Sequence, residues 1–167
     1  MRAALVNASP AVRRYLFGMC GRWHEAEDIA QEALLKAWAR RESFDGRANP
    51  RTWIFTIARN HWLDCLRRRR VRPREEHMND QLAPAGDAPG PSAIAERGEL
   101  GDLVRRAVQK LPAEQREALA MRESEGLTFR QIGQALGVPT ATVKSRVRYA
   151  LMKLADKLEP FRRELES

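Results

Sequence analysis

Apolar residues recur along most of this chain at spacings of three and four, the period of helices with one buried face. In the N-terminal part the pattern predicts helices over roughly 10–22, 25–41 and 50–70. In the C-terminal part it predicts roughly 100–110, 113–124, 128–136 and 140–158. Runs of β-branched residues are scarce, so the expected fold class is all-α. Between the two sets, residues 80–92 hold three prolines and two glycines and have no amphipathic period. The expected organisation is two small helical domains, 1–72 and 99–167, joined by a flexible linker at 73–98. Each half is too small for a thick core, so partner binding should add to stability.

Residues 128–146 carry the sharpest local signal. Thr128 followed three residues later by Gln131 is a capping-box start. Ile132, Ala135 and Leu136 form an apolar face, and Gly137 sits where a helix end favours a left-handed residue. Thr140 offers a second N-cap before a stripe of Val143, Val147, Ala150, Leu151, Leu154 and Leu158. The opposite face of that helix shows Thr142, Lys144, Ser145, Arg148 and Tyr149. Two helices around a tight turn, the second carrying cations, make a helix-turn-helix whose second helix can enter a major groove. An ordinary helical hairpin with a solvated basic face has the same period. The glycine and the cap signals at matching offsets favour DNA binding.

Two other helices present unusual faces. In 25–41, Ala26, Ile29, Ala30, Ala33, Ala37 and Trp38 can pack inward, while Asp28, Gln31, Glu32 and Leu35 form a second stripe. The plain reading is a solvated face with a stray leucine. The functional reading is a protein-docking face, where carboxylates meet a basic partner around an apolar anchor. In 50–70, Asn49 can cap the helix and Pro50 suits its first position. Ile54, Ile57, Ala58, His61 and Cys65 share the core arc, with Trp62 at its edge. Trp53, Thr56, Asn60, Leu63, Asp64 and Arg67 share the opposite arc, which runs on into Arg68, Arg69 and Arg70. An aromatic beside amide and cationic groups is what unstacked bases require. Four consecutive arginines exceed what the helix dipole calls for and point to phosphate contact.

Charge fits that picture. The 167 residues carry 30 Lys/Arg against 22 Asp/Glu, a net charge of +8. Residues 1–72 hold 15 basic and 7 acidic side chains, 73–98 hold 2 and 5, and 99–167 hold 13 and 10. Two basic blocks around an acidic strip argue for a polyanionic partner. No apolar run approaches the ~20 residues of a membrane span, and residues 1–9 lack a secretory signal's apolar stretch, so a cytoplasmic protein is expected. Cys20 and Cys65 give no disulfide framework, and with His24, His61 and His77 they form no set at ligand spacing. The expectation is no metal, no cofactor and, without a nucleophile–base constellation, no enzyme.

Read together, these motifs resemble a bacterial RNA polymerase sigma factor of the small, two-domain extracytoplasmic-function type. Residues 26–38 (AEDIAQEALLKAW) are similar to that family's core-binding helix. FDGR at 44–47 and PRTWIFTIARN at 50–60 are similar to its promoter-melting loop and helix. Leu111-Pro112, QREA at 115–118, EGLT at 125–128 and VKSR at 143–146 are similar to its second DNA-binding domain. The resemblance implies that Asp28, Gln31, Glu32 and Leu35 dock on the β′ clamp helices of core RNA polymerase, with the β flap a further contact. It implies that Phe44, Arg47, Arg51, Trp53, Thr56, Asn60 and Arg67 read the minus-ten element and capture a flipped base, whose extraction costs a few kcal/mol. It implies that Thr140, Thr142, Lys144, Ser145, Arg146, Arg148 and Tyr149 read the minus-thirty-five element as duplex.

The resemblance further implies a linker path through polymerase channels that later hold RNA. It also leads one to expect a shortened first helix. With nothing after Ser167, control would come from a separate anti-sigma protein rather than a fused sensor. The competing reading is a conventional helix-turn-helix regulator that binds operator duplex as a dimer. Such a protein has no use for the Trp53/Asn60 face.

Overall fold

The computed structural model describes residues 1–71, 98–124 and 127–165, and every long element among them is an α-helix. They are α1 (Arg2–Cys20), α2 (Trp23–Ala39), a 3-10 turn at Arg41–Ser43, α3 (Pro50–Val71), α4 (Gly98–Gln109), α5 (Ala113–Glu123), α6 (Phe129–Leu136) and α7 (Thr140–Leu165). The linker expected at 73–98 lies, through residue 97, outside the described residues.

The first helix is not short. Leu5, Ala8, Val12, Leu16 and Met19 continue one buried stripe at helical spacing, and that stripe extends the helix back to Arg2, past Pro10. The proline is tolerated because it is exposed, so the carbonyl it leaves without a helical donor faces water. Leu5, Tyr15 and Leu16 are buried and Phe17 half-buried, its ring edge-on to Trp23 at 5.6 Å. The helix ends at Gly21 in the left-handed conformation (φ 73°).

α2 buries Ala26, Ile29, Ala30, Ala33 and Ala37, and its alanines let α1 and α3 approach closely. Trp38, expected inside, is 42 % exposed because Ala37 takes the inward position and the tryptophan lies 100° further round. α3 begins as its sequence predicts, with the Arg51 N–H donating to Asn49 Oδ1 at 2.9 Å. It buries Ile54, Ile57, Ala58, His61 and Trp62, together with Phe55 and Thr52. Cys65, expected on the core arc, is only half-buried because α3 is by then leaving the bundle.

In the C-terminal half the capping box is complete. Thr128 Oγ1 accepts from the Gln131 N–H at 3.2 Å, and Gln131 Oε1 accepts from the Thr128 N–H at 2.8 Å. Gly137 is left-handed at φ 69°. Thr140 is the first helical residue of α7 rather than its cap. The Pro139 carbonyl starts the ladder, accepting from the Thr142 and Val143 N–H groups. Val143, Val147, Ala150 and Leu154 are buried and Leu158 half-buried, whereas Leu151 stands 51 % exposed, one residue off the stripe.

The two halves share a seam. α1 packs on α4 and α5, α3 packs on α6, and one apolar core runs through both. α1 and α5 cross at their smallest residues. A Cβ at Gly18 would lie 2.9 Å from the Ala120 Cβ, closer than such atoms approach. Polar groups flank this crossing. Gln109 Nε2 donates to the Gly18 carbonyl at 3.0 Å, and Arg105 Nη1 to the Gly21 carbonyl at 3.2 Å. On α5, the buried Glu117 carboxylate accepts from the Tyr15 hydroxyl at 3.3 Å and from Arg59 Nε at 2.9 Å. Burial first, and the Glu117 charge second, hold the Tyr15 hydroxyl well above its ordinary pKa of 10.0, so it stays a donor.

Candidate docking and nucleic-acid interfaces

Three predicted faces can be built from the helices upward. The first is on α2. Asp28, Gln31, Glu32 and Leu35 are all exposed and lie in one row at helical spacing, with Leu35 61 % exposed. Asp28, Gln31 and Leu35 line an open groove of about 600 Å³ between α1 and α2, to which Val6 of α1 and Trp38 of α2 add apolar surface; Glu32 stands beside it. Trp38 carries the Arg41 guanidinium over its ring at 4.4 Å from the centroid. Its part in this face was missed by the sequence reading. The signal was available, since Leu35 and Trp38 are three residues apart and therefore neighbours on the helix surface.

Glu32 is the one member of that row tied back into the fold. Its Oε2 lies 2.9 Å from Nε2 of His61 on α3, while Nδ1 of the same ring lies 2.7 Å from the Lys36 ammonium. An ammonium is only a donor, so Nδ1 accepts and the ring proton sits on Nε2, donating to Glu32. Burial and the Lys36 charge hold the His61 pKa below its ordinary 6.5, against the smaller opposing pull of Glu32. Cys65 Sγ is 4.0 Å from the same Nε2.

The second face is the loop before α3 and the outer side of that helix. Phe44 and Trp53 are half-buried and pack on one another, ring centroids 5.4 Å apart at 57°. Arg47 is exposed, its Nε 3.6 Å from the Asp45 carboxylate. Asn60 is exposed, as the period predicts, and Arg51 is half-buried at the start of α3. Thr56 spends its hydroxyl proton on the Thr52 carbonyl at 2.9 Å, leaving oxygen lone pairs for an outside donor. The arginine run is partly engaged. Arg67 pairs with Asp64, and Arg69 with Glu25 of α2, while Arg68 and Arg70 are exposed.

The third face is the start of α7. Lys144, Arg148 and Tyr149 are exposed, with the Arg148 guanidinium 5.2 Å from the Tyr149 ring centroid; Thr140 and Thr142 are half-buried. Ser145 and Arg146 point back into the fold. Ser145 Oγ donates to the Thr142 carbonyl at 2.9 Å, and Arg146 pairs with Glu114 of α5 at 2.9 Å with its side chain 19 % exposed. Arg59, which sequence reasoning passed over, is the residue that joins α3 to α5. Only the three-dimensional contact with Glu117 marks it.

Among the described residues no three His, Cys, Asp or Glu side chains converge as metal ligands, and no helix is long and apolar enough to cross a membrane. Burial pushes the Cys20 thiol up to about 11.

Comparison with known proteins gives these faces their setting. Residues 5–72 match the sigma-70 region 2 family and residues 107–156 match sigma-70 region 4. The ECF RNA polymerase sigma factor EcfG of Rhodopseudomonas palustris is 34 % identical over 155 residues, covering 93 % of this chain and 83 % of the relative. The ECF sigma factor RpoE of Cereibacter sphaeroides is 33 % identical over 147 residues, covering 87 % and 79 %. The ECF sigma factor SigW of Bacillus subtilis is 32 % identical over 140 residues, covering 78 % and 74 %. Among solved structures, the sigma factor RpoE of Bartonella quintana, in complex with the anti-sigma factor NepR, superposes with a TM-score of 0.70 at 26 % identity. That match covers 95 % of this chain and 96 % of RpoE. The chain belongs to the sigma-70 family, in its extracytoplasmic-function (ECF) group. It is a transcription initiation factor, and the operator-binding dimer is not favoured.

Proposed function

We propose that this sigma factor uses the α2 row of Asp28, Gln31, Glu32 and Leu35, with Trp38, to dock on the β′ clamp helices of core RNA polymerase. The observation that carries this is an exposed apolar patch of Leu35, Trp38 and Val6 beside acidic side chains, lining one open groove. A monomer rarely keeps such a face without a partner. Phe44, Arg47, Arg51, Trp53, Thr56, Asn60 and Arg67 read the minus-ten strand. The Phe44–Trp53 pair supplies a stacking wall and Asn60 a base-edge contact. Lys144, Arg148 and Tyr149, with Thr140, Thr142, Ser145 and Arg146, read the minus-thirty-five duplex. The functional boundaries follow as 1–72, 73–98 and 99–167. The protein works in the cytoplasm and contributes no catalysis of its own.

The element names imply a separation of about 25 base pairs, roughly 85 Å of duplex at 3.4 Å per base pair. Here α3 packs directly on α6, so the arrangement described is a closed one and the seam must part before both elements are held at once. The closed form is the natural target for a small anti-sigma protein, as the RpoE–NepR complex suggests. Run-off transcription with core enzyme tests the reading. Wild type should initiate from a defined promoter, Leu35→Asp should abolish assembly, and Asn60→Ala should impair opening more than duplex binding. Full promoter opening by Asn60→Ala would remove that residue from the base-reading face.

A further inference from the structure

We infer that His61, a buried residue of the DNA-facing helix α3, is a positioning residue for polymerase docking, because it holds the Glu32 carboxylate of α2 in place. The inference rests on the docking face proposed above. Its evidence is separate from that proposal and lies in the geometry of one ring.

Glu32 is 62 % exposed at its side chain, and a glutamate so exposed ordinarily samples many rotamers. Its Oε2 is instead fixed at 2.9 Å from a ring nitrogen whose side chain is 1 % exposed. The other ring nitrogen is fixed at 2.7 Å by Lys36, one turn along α2 from Glu32. A single imidazole therefore staples two side chains of the same helix, one as acceptor and one as donor. Each contact dictates the other. The Lys36 ammonium requires Nδ1 unprotonated, which puts the proton on Nε2, where the Glu32 carboxylate at 2.9 Å is a far better acceptor than the Cys65 sulfur at 4.0 Å. The second carboxylate oxygen, Oε1, is left for the partner. A carboxylate ordered before binding loses less freedom on docking than a mobile one. The same ring sits on the helix whose outer face carries Trp53 and Asn60. The staple therefore also fixes the register of the docking row against the base-reading helix.

The test is the affinity of the full-length chain for core RNA polymerase, measured by fluorescence anisotropy. His61→Gln keeps a donor near the position of Nε2, whereas His61→Asn keeps an acceptor near Nδ1 and cannot reach Glu32; His61→Leu keeps neither. The expected result is binding within about threefold of wild type for the glutamine variant and losses of about tenfold for the other two. Glu32→Gln should cost less in the His61→Leu background than in the wild-type protein, the signature of two coupled residues. Thermal unfolding of each variant, measured alongside, separates the effect from folding.

Equal loss in the glutamine and asparagine variants would overturn the donor assignment. Wild-type affinity in the leucine and asparagine variants, with Leu35→Asp still defective, would overturn the positioning role while leaving the docking face intact. Wild-type affinity in Leu35→Asp would remove the docking face, and the role of His61 with it.

Discussion

Replacing Arg59 with leucine should open the molecule. The Glu117 carboxylate, 9 % exposed at its side chain, would be left in the seam with only the Tyr15 hydroxyl. Breaking one side of a buried ion pair costs about 3–5 kcal/mol when both partners are dry. Arg59 is a quarter exposed, so water screens part of the pair and roughly 2–3 kcal/mol is the reasonable figure. Because Arg59 and Glu117 belong to different halves, the loss falls on the closed-to-open equilibrium, which should shift by roughly 30- to 150-fold. Energy transfer between dyes on cysteines placed at Glu42 and Lys157, both exposed, reads that shift once Cys20 and Cys65 are changed to alanine. Transfer should fall in Arg59→Leu. It should largely recover in Arg59→Leu/Glu117→Leu, where no buried charge is left unpaired. Unchanged transfer in the single variant would refute the claim that this pair holds the seam.

Four further outcomes follow from the same contacts. Gly18→Leu should also lower transfer, because its side chain would occupy the space of Ala120, while α1 keeps its stripe against α2 and α3 by circular dichroism. Thr128→Ala removes half of the capping box and should cost about 1 kcal/mol, read as a lower denaturation midpoint. Stability should fall as pH drops below 6.5. The unfolded chain takes up a proton on His61 there, while the folded ring, facing Lys36, Arg68, Cys65 and Glu32, resists it. The stabilisation is thus present above 6.5 and lost below it, and His61→Leu should flatten this part of the titration. Cys20, with its pKa near 11, holds roughly one thousandth of its thiol as thiolate at pH 8, and alkylation should be correspondingly slow until the protein is denatured.

Local signals in the sequence proved sufficient wherever the structure depends on local chemistry. Thr128 and Gln131 form the reciprocal cap, Gly137 takes the left-handed turn, and Asn49 caps α3, each a matter of a few consecutive residues. Helical period likewise placed Ile54, Ala58, Val143 and Val147 inside. Errors arose one residue from a stripe, at Trp38 and Leu151, where a 100° step decides between core and water. The first helix, expected from about residue 10, begins at Arg2. The buried Leu5 and Ala8 show that the preceding turn had its own reason to be helical. What no local pattern held was the seam. Glu117 meets Tyr15 and Arg59 from 102 and 58 residues away, and no spacing rule reaches so far. The same is true of Arg146, which reads as an outward cation yet is turned toward Glu114. Ser145 differs, because its hydroxyl bonds the Thr142 carbonyl three residues back, a contact local chemistry allows.

The crossing of α1 and α5 at Gly18 and Ala120 has a practical meaning if the two halves part on promoter binding as proposed. The groups that meet beside it are an amide, two guanidinium groups, a phenol and a carboxylate, all of which water accepts back readily. At the crossing itself, parting uncovers a bare backbone and a methyl rather than a greasy plug. Such a crossing behaves like a zip rather than a weld, and the apolar surface that parting exposes lies elsewhere along the seam, where the core is continuous.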